Sequence, residues 1–386
     1  MNLGVYIQVP FCRTKCTYCN FHTGIVAREK YGPYADAVRR EIAELAASDD
    51  IAAIAEALTD TVYFGGGTPS LLEPSALAGI LEAVRRNFGF AKAAESLEFT
   101  LEADPETITL EKAQAWLAAG FNRISLGVQS FDDRELQAAG RLHRRADIFT
   151  AARILRAAGF RNVSMDLIAG LAHQTLESWE ESVARILEIR PQHISIYLLE
   201  IDEGSRLGKE SLAGGNRYCA EAIPSDDAMA ESYESACARL AATGYEHYEI
   251  SSWGLPGFRS RHNLKYWRRE PYIGLGAGAH SFDGARRWSN LHDSARYVAC
   301  IETGVSPRER IEPVTQQQAL DEELFLGLRQ LEGIDLARVE KKYGVNLQAR
   351  IARLREQGLL EMDGAILRLA PAHLTVSNEV FVELLG

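Results

Sequence analysis

The sequence predicts an α/β fold, a partial (βα)6 barrel followed by a helical, winged-helix-like domain, and three observations carry that expectation. Apolar, β-branched or aromatic runs recur over residues 4–9, 61–64, 97–101, 123–128, 163–168 and 193–199. Helical periodicity fills the gaps between them, over 34–47, 74–87, 110–119, 146–158 and 177–189. Strand and helix in strict alternation imply a parallel sheet, closed or partly closed, with functional loops at the C-terminal ends of its strands. From Thr315 the texture changes: short helices are expected over 321–329, 336–343 and 347–357, then a hairpin of 360–362 and 365–369 about Asp363-Gly364, a strong turn signal.

Punctuation along the chain supports these units. Thr109 and Asp147 read as helix starts, and Gly120 and Gly159 stand where a left-handed C-terminal stop is needed. Beyond residue 202 the alternation fades through a glycine-containing segment, 204–216, before a clear helix at 226–243 and one more strand at 245–250. Three domains are therefore expected: 1–202 as the partial barrel with an N-terminal cysteine loop, 203–314 completing it, and 315–386 as the winged-helix-like unit.

At roughly 150 residues per domain, 386 residues also suit two or three domains. An apolar fraction of 46% with 25% charged residues excludes wholesale disorder and a fibrous repeat. The 42 Lys and Arg stand against 53 Asp and Glu, a net charge of −11 that repels nucleic acid and anionic membranes. A winged helix invites a DNA-binding reading, but residues 315–386 carry 8 basic against 11 acidic side chains, so the electrostatic footprint is absent. No run approaches ~18 uncharged apolar residues, and residues 1–11 lack the basic and apolar regions of a signal peptide. No transmembrane segment, no nucleic-acid partner and a cytoplasmic location are expected.

Cys12, Cys16 and Cys19 crowd one short loop after the first strand, whereas Cys219, Cys237 and Cys300 lie far apart and read as packing or surface thiols. In a reducing compartment such a cluster suggests metal or redox work. Three thiolates leave one iron of a four-iron cluster open, and an open coordination position is where a reacting molecule binds. The rival, a zinc site completed by a histidine such as His22, fits poorly, because zinc closes with paired short spacings and no second pair is present.

The C-x-x-x-C-x-x-C spacing, placed before a βα array, resembles the radical S-adenosylmethionine (SAM) superfamily. Further matches fall at successive strand ends: Gly65-Gly66-Gly67-Thr68-Pro69, Glu102, Gln129 and Asp166. Glycines allow close backbone approach, and a carboxylate in an apolar strand is costly unless a ligand or partner meets it. The resemblance implies a 4Fe-4S cluster on Cys12, Cys16 and Cys19 with SAM on the open iron. It places Tyr6, Tyr18, Gly66, Gly67, Thr68, Glu102, Gln129, Arg141 and Asp166 at SAM-site positions.

Within that superfamily the whole chain is similar to the oxygen-independent coproporphyrinogen III oxidase subgroup, with two departures. Phe21 stands where the oxidases carry a fourth cysteine, and the first cluster cysteine is already residue 12, leaving no room for their N-terminal extension. Both argue against coproporphyrinogen decarboxylation, the alternative activity, and match the HemW-type haem chaperones. That resemblance implies a protein that binds haem and passes it to haem-requiring acceptors, membrane respiratory complexes among them. Arg261-His262-Asn263-Leu264-Lys265-Tyr266-Trp267 matches the H-N-x-x-Y-W motif associated with haem there, so 203–314 becomes the expected haem-binding region. His262 offers an axial nitrogen, Asn263 a ring-orienting partner, and Tyr266 and Trp267 flat apolar faces; nearby arginines suit propionates. Read without the family, the same motif is a polar turn before aromatic core residues. There is no C-x-x-C-H for covalent haem attachment through thioethers. The Gly274-Leu275-Gly276-Ala277-Gly278 run opens no βαβ unit and reads as close backbone packing. His280 is a secondary candidate metal or haem ligand, its plainer reading being a satisfied core histidine.

Overall fold

The computed structural model describes residues 2–54, 56–91 and 97–385; Met1 and Gly386, the outer limits of the first and last expected domains, lie outside them. Six strands, β1 (Asn2–Val9), β2 (Leu58–Gly66), β3 (Glu98–Ala103), β4 (Arg123–Gln129), β5 (Val163–Ala169) and β6 (His193–Leu198), pair in parallel in chain order. Crossovers run through α1 (Tyr31–Ala46), α2 (Pro74–Asn87), α3 (Leu110–Ala119), α4 (Asp133–Ala138) with α5 (Arg145–Ala158), and α6 (Leu176–Ile189). Local chemistry sets their ends. Thr109 Oγ1 accepts the Lys112 N–H, and Gly120 and Gly159 take φ of 105° and 106°. Asp147 sits inside the first turn, where its carboxylate accepts the Arg144 N–H, so α5 begins slightly before the expected residue.

After β6 the chain adds strands to both edges of the sheet. α7 (Arg206–Ala213) and α8 (Asp226–Ala242) lead to β7 (Glu246–Glu249) and β8 (Ser252–Gly254), which extend the β6 edge antiparallel. α9 (Arg261–Trp267) then precedes β9 (Tyr272–Leu275), which returns beside β1 in parallel. From there β10 (His280–Phe282), β11 (Arg286–Asn290), α10 (Ser294–Glu302) and β12 (Arg308–Pro313) complete a twelve-stranded open sheet, order β12-β11-β10-β9-β1-β2-β3-β4-β5-β6-β8-β7. Most of these added strands are too short and polar to register as apolar runs. The glycine run packs as expected: a side chain at Gly274 would meet the His280 carbonyl, and Gly276, at φ 96°, lies against the Gln8 carbonyl.

The period of two along each strand divides the sheet's faces. Val5, Ile7, Val62, Phe64, Leu101 and Met165 are fully covered in one continuous core. The opposite face carries Thr61, Tyr63, Glu102, Ser125, Asp166 and Ser195, with Glu102 opposite Ser125 and Asp166 opposite Ser195. A self-filling barrel stacks branched aliphatic residues inside; this one is polar inside, which suits a ligand chamber.

The C-terminal unit holds α11 (Gln316–Leu328), β13 (Ile334–Asp335), α12 (Leu336–Tyr343), α13 (Gln348–Glu356), β14 (Leu360–Asp363), β15 (Ile366–Leu369) and α14 (Ser377–Leu385). Its sheet order is β13-β15-β14. α11 starts five residues before the expected position because Thr315 and Gln318 cap it reciprocally across a polar glutamine run. No helix among the described residues is long and apolar enough to cross a membrane.

Candidate functional site

The cysteine loop is pinned at both ends. Gly24 N–H donates to the Pro10 carbonyl and Cys12 N–H to the Gly24 carbonyl, closing its base above β1. Farther along, Thr17 N–H donates to Ala139 at the end of α4, and Leu207 N–H of α7 donates to the Thr17 carbonyl. The Gly65-Gly66-Gly67 loop lies directly against it: Gly67 and Thr68 N–H donate to the Val9 and Phe11 carbonyls at 2.8 and 2.7 Å. A Cβ at Gly67 would sit 2.4 Å from the Phe11 carbonyl oxygen, so only glycine permits this approach.

Loop and strand ends together enclose a cavity of about 510 Å³. Its walls contain Cys12, Cys16 and Cys19 together with Tyr18, Gly66, Gly67, Thr68, Glu102, Gln129, Arg141 and Asp166. Of the residues expected to hold the cluster and SAM, only Tyr6 does not line it; Tyr6 lies one layer deeper, donating to Gln8 Oε1 at 2.8 Å and stacking on Tyr63. Gln129 reaches the cavity from a register shift in β4 and a left-handed φ of 66°, a conformation rare outside glycine.

Several wall residues are held in place by neighbours. Tyr63 Oη and Gly66 N–H donate to the two oxygens of Glu102 at 2.8 and 3.1 Å. Arg141 donates to Asp104, to the Gly127 carbonyl at 2.9 Å and to Cys16 Sγ at 3.4 Å, while Thr68 Oγ1 donates to the other Asp104 oxygen at 2.9 Å. Sequence reasoning did not single out Asp104, Tyr63 or Ser125. The signal for Tyr63 and Ser125 was their inward strand parity; for Asp104, its place immediately after β3.

Burial governs the electrostatics. Desolvation, opposed by the Tyr63 hydroxyl, pushes Glu102 up to about 7, and desolvation opposed by Ser195 and Arg123 pushes Asp166 up to about 6. Burial likewise raises the Cys12 thiol to about 11 and shifts Cys19 upward. These thiols ionise only when a cation compensates them. Asp166 Oδ1 is buried with no hydrogen-bond partner within 3.5 Å among the described residues, a costly state that a ligand's hydroxyl or amine relieves. No three metal-ligating side chains among the described residues converge on a single ion. Three separate thiols, a glycine-lined cradle and an orphaned carboxylate oxygen are a donor set that fits an iron–sulfur cluster with an amine-bearing cofactor.

The H-N-x-x-Y-W residues lie elsewhere. α9 closes the opposite, N-terminal end of the barrel, where the Glu98 carboxylate accepts the Arg261 and His262 N–H groups at 3.2 and 3.0 Å. Buried Lys265 pairs with Asp60 at 2.7 Å. The five-step rise of β2 from Thr61 to Gly66 puts the two places roughly 16 Å apart. His262 is 1% exposed, with Nδ1 2.8 Å from Thr61 Oγ1 and Nε2 2.9 Å from Tyr266 Oη. Tyr266 packs edge-on against Tyr272, and Arg329 covers the Trp267 ring at 4.4 Å. Asn263 donates its backbone N–H to Ser260 Oγ, within the cap of the helix. His280, contrary to a core reading, is exposed.

Comparison with known proteins adds lineage. The family described as the Radical SAM superfamily matches residues 6–186, and the HemN C-terminal domain family matches 314–372. The Heme chaperone HemW of Bacillus subtilis is 33% identical over 99% of both chains. Its namesake in Mycobacterium tuberculosis is 35% identical over 99% of this chain and 95% of its own. Among solved structures, coproporphyrinogen III oxidase (HemN) from Escherichia coli, a radical SAM enzyme, superposes with a TM-score of 0.83 over 99% of this chain and 89% of its own. At 21% identity that likeness speaks for the fold alone.

Proposed function

The chain belongs to the HemW haem chaperone family of the radical SAM superfamily, and on that premise we propose that it binds haem and delivers it to haem-requiring proteins, membrane respiratory complexes among them. In this reading it carries a 4Fe-4S cluster on Cys12, Cys16 and Cys19, with SAM in the cavity beside it. The observation that carries the cofactor assignment is the convergence of three thiols, a glycine cradle and the orphaned Asp166 oxygen on one cavity. When bound, the cluster and SAM supply one-electron chemistry.

The chain's own residues prepare that site. Arg141 sets a positive charge 3.4 Å from Cys16 Sγ and ties it to Asp104 and the Gly127 carbonyl. Glu102, oriented by Tyr63 and Gly66, presents a carboxylate to an ammonium group, and Asp166 offers its free oxygen to a hydroxyl or amine. Gly66, at φ 111°, packs against the Gln8 side chain and Gly67 against the Phe11 backbone, which seats the glycine loop beside the cysteine loop at the cavity wall. All six cysteines are free, which supports a reducing, cytoplasmic setting.

The test is anaerobic reconstitution with iron and sulfide, followed by a haem titration and transfer to an apo-haemoprotein. Four irons per chain, haem retained through gel filtration and transfer that depends on this protein are expected. No retained haem, with conversion of coproporphyrinogen III at stoichiometric SAM cleavage, would replace this reading with the decarboxylase.

A further inference from the structure

The nine histidines of this chain divide by environment. His143, His193, His247 and His262 carry hydrogen bonds on their ring nitrogens inside the fold. His22, His280 and His292 are exposed and gathered at one place beside the cysteine loop. The His22 and His292 rings lie 4.0 Å apart, tilted by 39°, and His280 and His292 lie 6.4 Å apart. No hydrogen bond engages a ring nitrogen of these three among the described residues. Three segments remote in sequence meet here: the cysteine loop, the start of β10 and the turn before α10. Gly278 lies between two of them: a Cβ there would sit 3.1 Å from His292 Nδ1 and 3.9 Å from the His22 Cβ.

We propose that this histidine cluster is an iron-porphyrin site, with an imidazole of the cluster as axial ligand to haem, and that the buried His262 is not that ligand. The inference rests on the haem-binding reading above and deepens it. A metalloporphyrin needs an open imidazole nitrogen, apolar cover for a flat ring and cations for its carboxylates. The cluster supplies the first. Phe21 and Ile25, flanking His22 in the chain, are 64% and 60% exposed, unusual for large apolar side chains. Lys15 acts electrostatically on His22, Arg310 on His280, and neither cation has an ion-pair partner among the described residues. A bare divalent ion fits less well, because the rings overlap rather than converge on one centre and no three-ligand set closes. Lys15 and Phe21 also line the cavity described above, so haem here would lie at the edge of the cofactor chamber.

The test is a titration of cluster-reconstituted protein with ferric haem, followed by Soret absorbance, electron paramagnetic resonance and retention through gel filtration. The variants are the triple His22→Ala/His280→Ala/His292→Ala, the single His292→Ala and His262→Gln, with His373→Ala in the C-terminal unit as a histidine control. Expected is a loss of affinity of about tenfold or more in the triple variant, with a Soret shift and loss of the imidazole-ligated iron signal. The single variant shows part of that change, and His262→Gln and His373→Ala keep the wild-type spectrum. Haem bound by the triple variant with unchanged affinity and spectrum overturns the proposal while leaving haem binding intact. Loss of the imidazole signal in His262→Gln protein of native fold and full cluster content overturns it in favour of the buried motif. Tight zinc binding at the cluster without haem binding there also overturns it. If the wild type retains no haem at all, the chaperone reading fails and this proposal falls with it.

Discussion

His262 and Tyr266, one turn apart on α9, meet through a hydrogen bond of 2.9 Å between Nε2 and the phenol oxygen, while Nδ1 rests 2.8 Å from Thr61 Oγ1. Both ring nitrogens are thereby committed, and the imidazole stacks on Tyr63, whose hydroxyl holds Glu102. The motif helix thus supports the floor beneath the cofactor chamber. His262→Ala leaves a cavity and two buried hydroxyls without a partner, and a loss of about 3 kcal/mol is expected. Denaturant unfolding of the reduced apoprotein measures it; a loss below about 1 kcal/mol would show that the floor does not need this residue.

The same imidazole predicts a pH dependence. Burial, then Lys265, push His262 down to about 3, whereas in the unfolded chain it titrates near 6.5. Between those values only the unfolded state binds the proton. The stability contribution is therefore whole above pH 6.5 and drains away as pH falls toward 3. His262→Gln removes this slope, which a comparison of denaturation midpoints at pH 7 and pH 5 reads directly.

Glu102 predicts a dependence in the cofactor's affinity. With its carboxyl raised to about 7, it is ionised at pH 8 and protonated at pH 6, and only the ionised form pairs with an ammonium group. The affinity of the reconstituted protein for SAM is expected to fall about tenfold between those pH values, and to change far less in Glu102→Gln. Isothermal titration at the two pH values decides; an equal pH response in both proteins removes Glu102 from the ammonium site.

Arg141 and Asp104 form an ion pair at the cavity wall, with side chains 10% and 22% exposed. Removing one partner strands the other, so Arg141→Met is expected to cost about 2 kcal/mol, and the double variant with Asp104→Asn less than the sum of the two single changes. Additive losses in a double-mutant cycle would show the pair to be uncoupled.

Gly67→Ala tests the joint between the glycine loop and the cysteine loop. Its methyl group would press on the Phe11 carbonyl, one residue before Cys12, and must displace that loop. Iron and sulfide content after reconstitution should drop by half or more, while Cys16→Ser abolishes a stable cluster. Full loading of Gly67→Ala would mean the loop yields without affecting its thiols.

The sequence by itself determined the barrel and most of its rim. Apolar alternation in the six parallel strands is a local consequence of one face meeting helices and the other a chamber, so β1 to β6 and their crossovers, the short α4 excepted, were legible within about three residues. Cys12, Cys16, Cys19, Gly66, Gly67, Glu102 and Asp166 were legible too, because strand ends in a parallel barrel point to one place. Asp104 and Tyr63 escaped, since their role is to hold another residue, and such pairing is set across strands.

Tertiary structure alone decided the rest. Whether a histidine is a satisfied structural group or an open ligand depends on what surrounds it in three dimensions, which a motif does not encode. His262, in the more suggestive motif, is sealed by Thr61 and Tyr266; His22, His280 and His292, which share no motif, are brought together by the return of β9 beside β1. That return follows from pairing short strands remote in sequence, whose stability comes from the sheet they join and not from any pattern of their own.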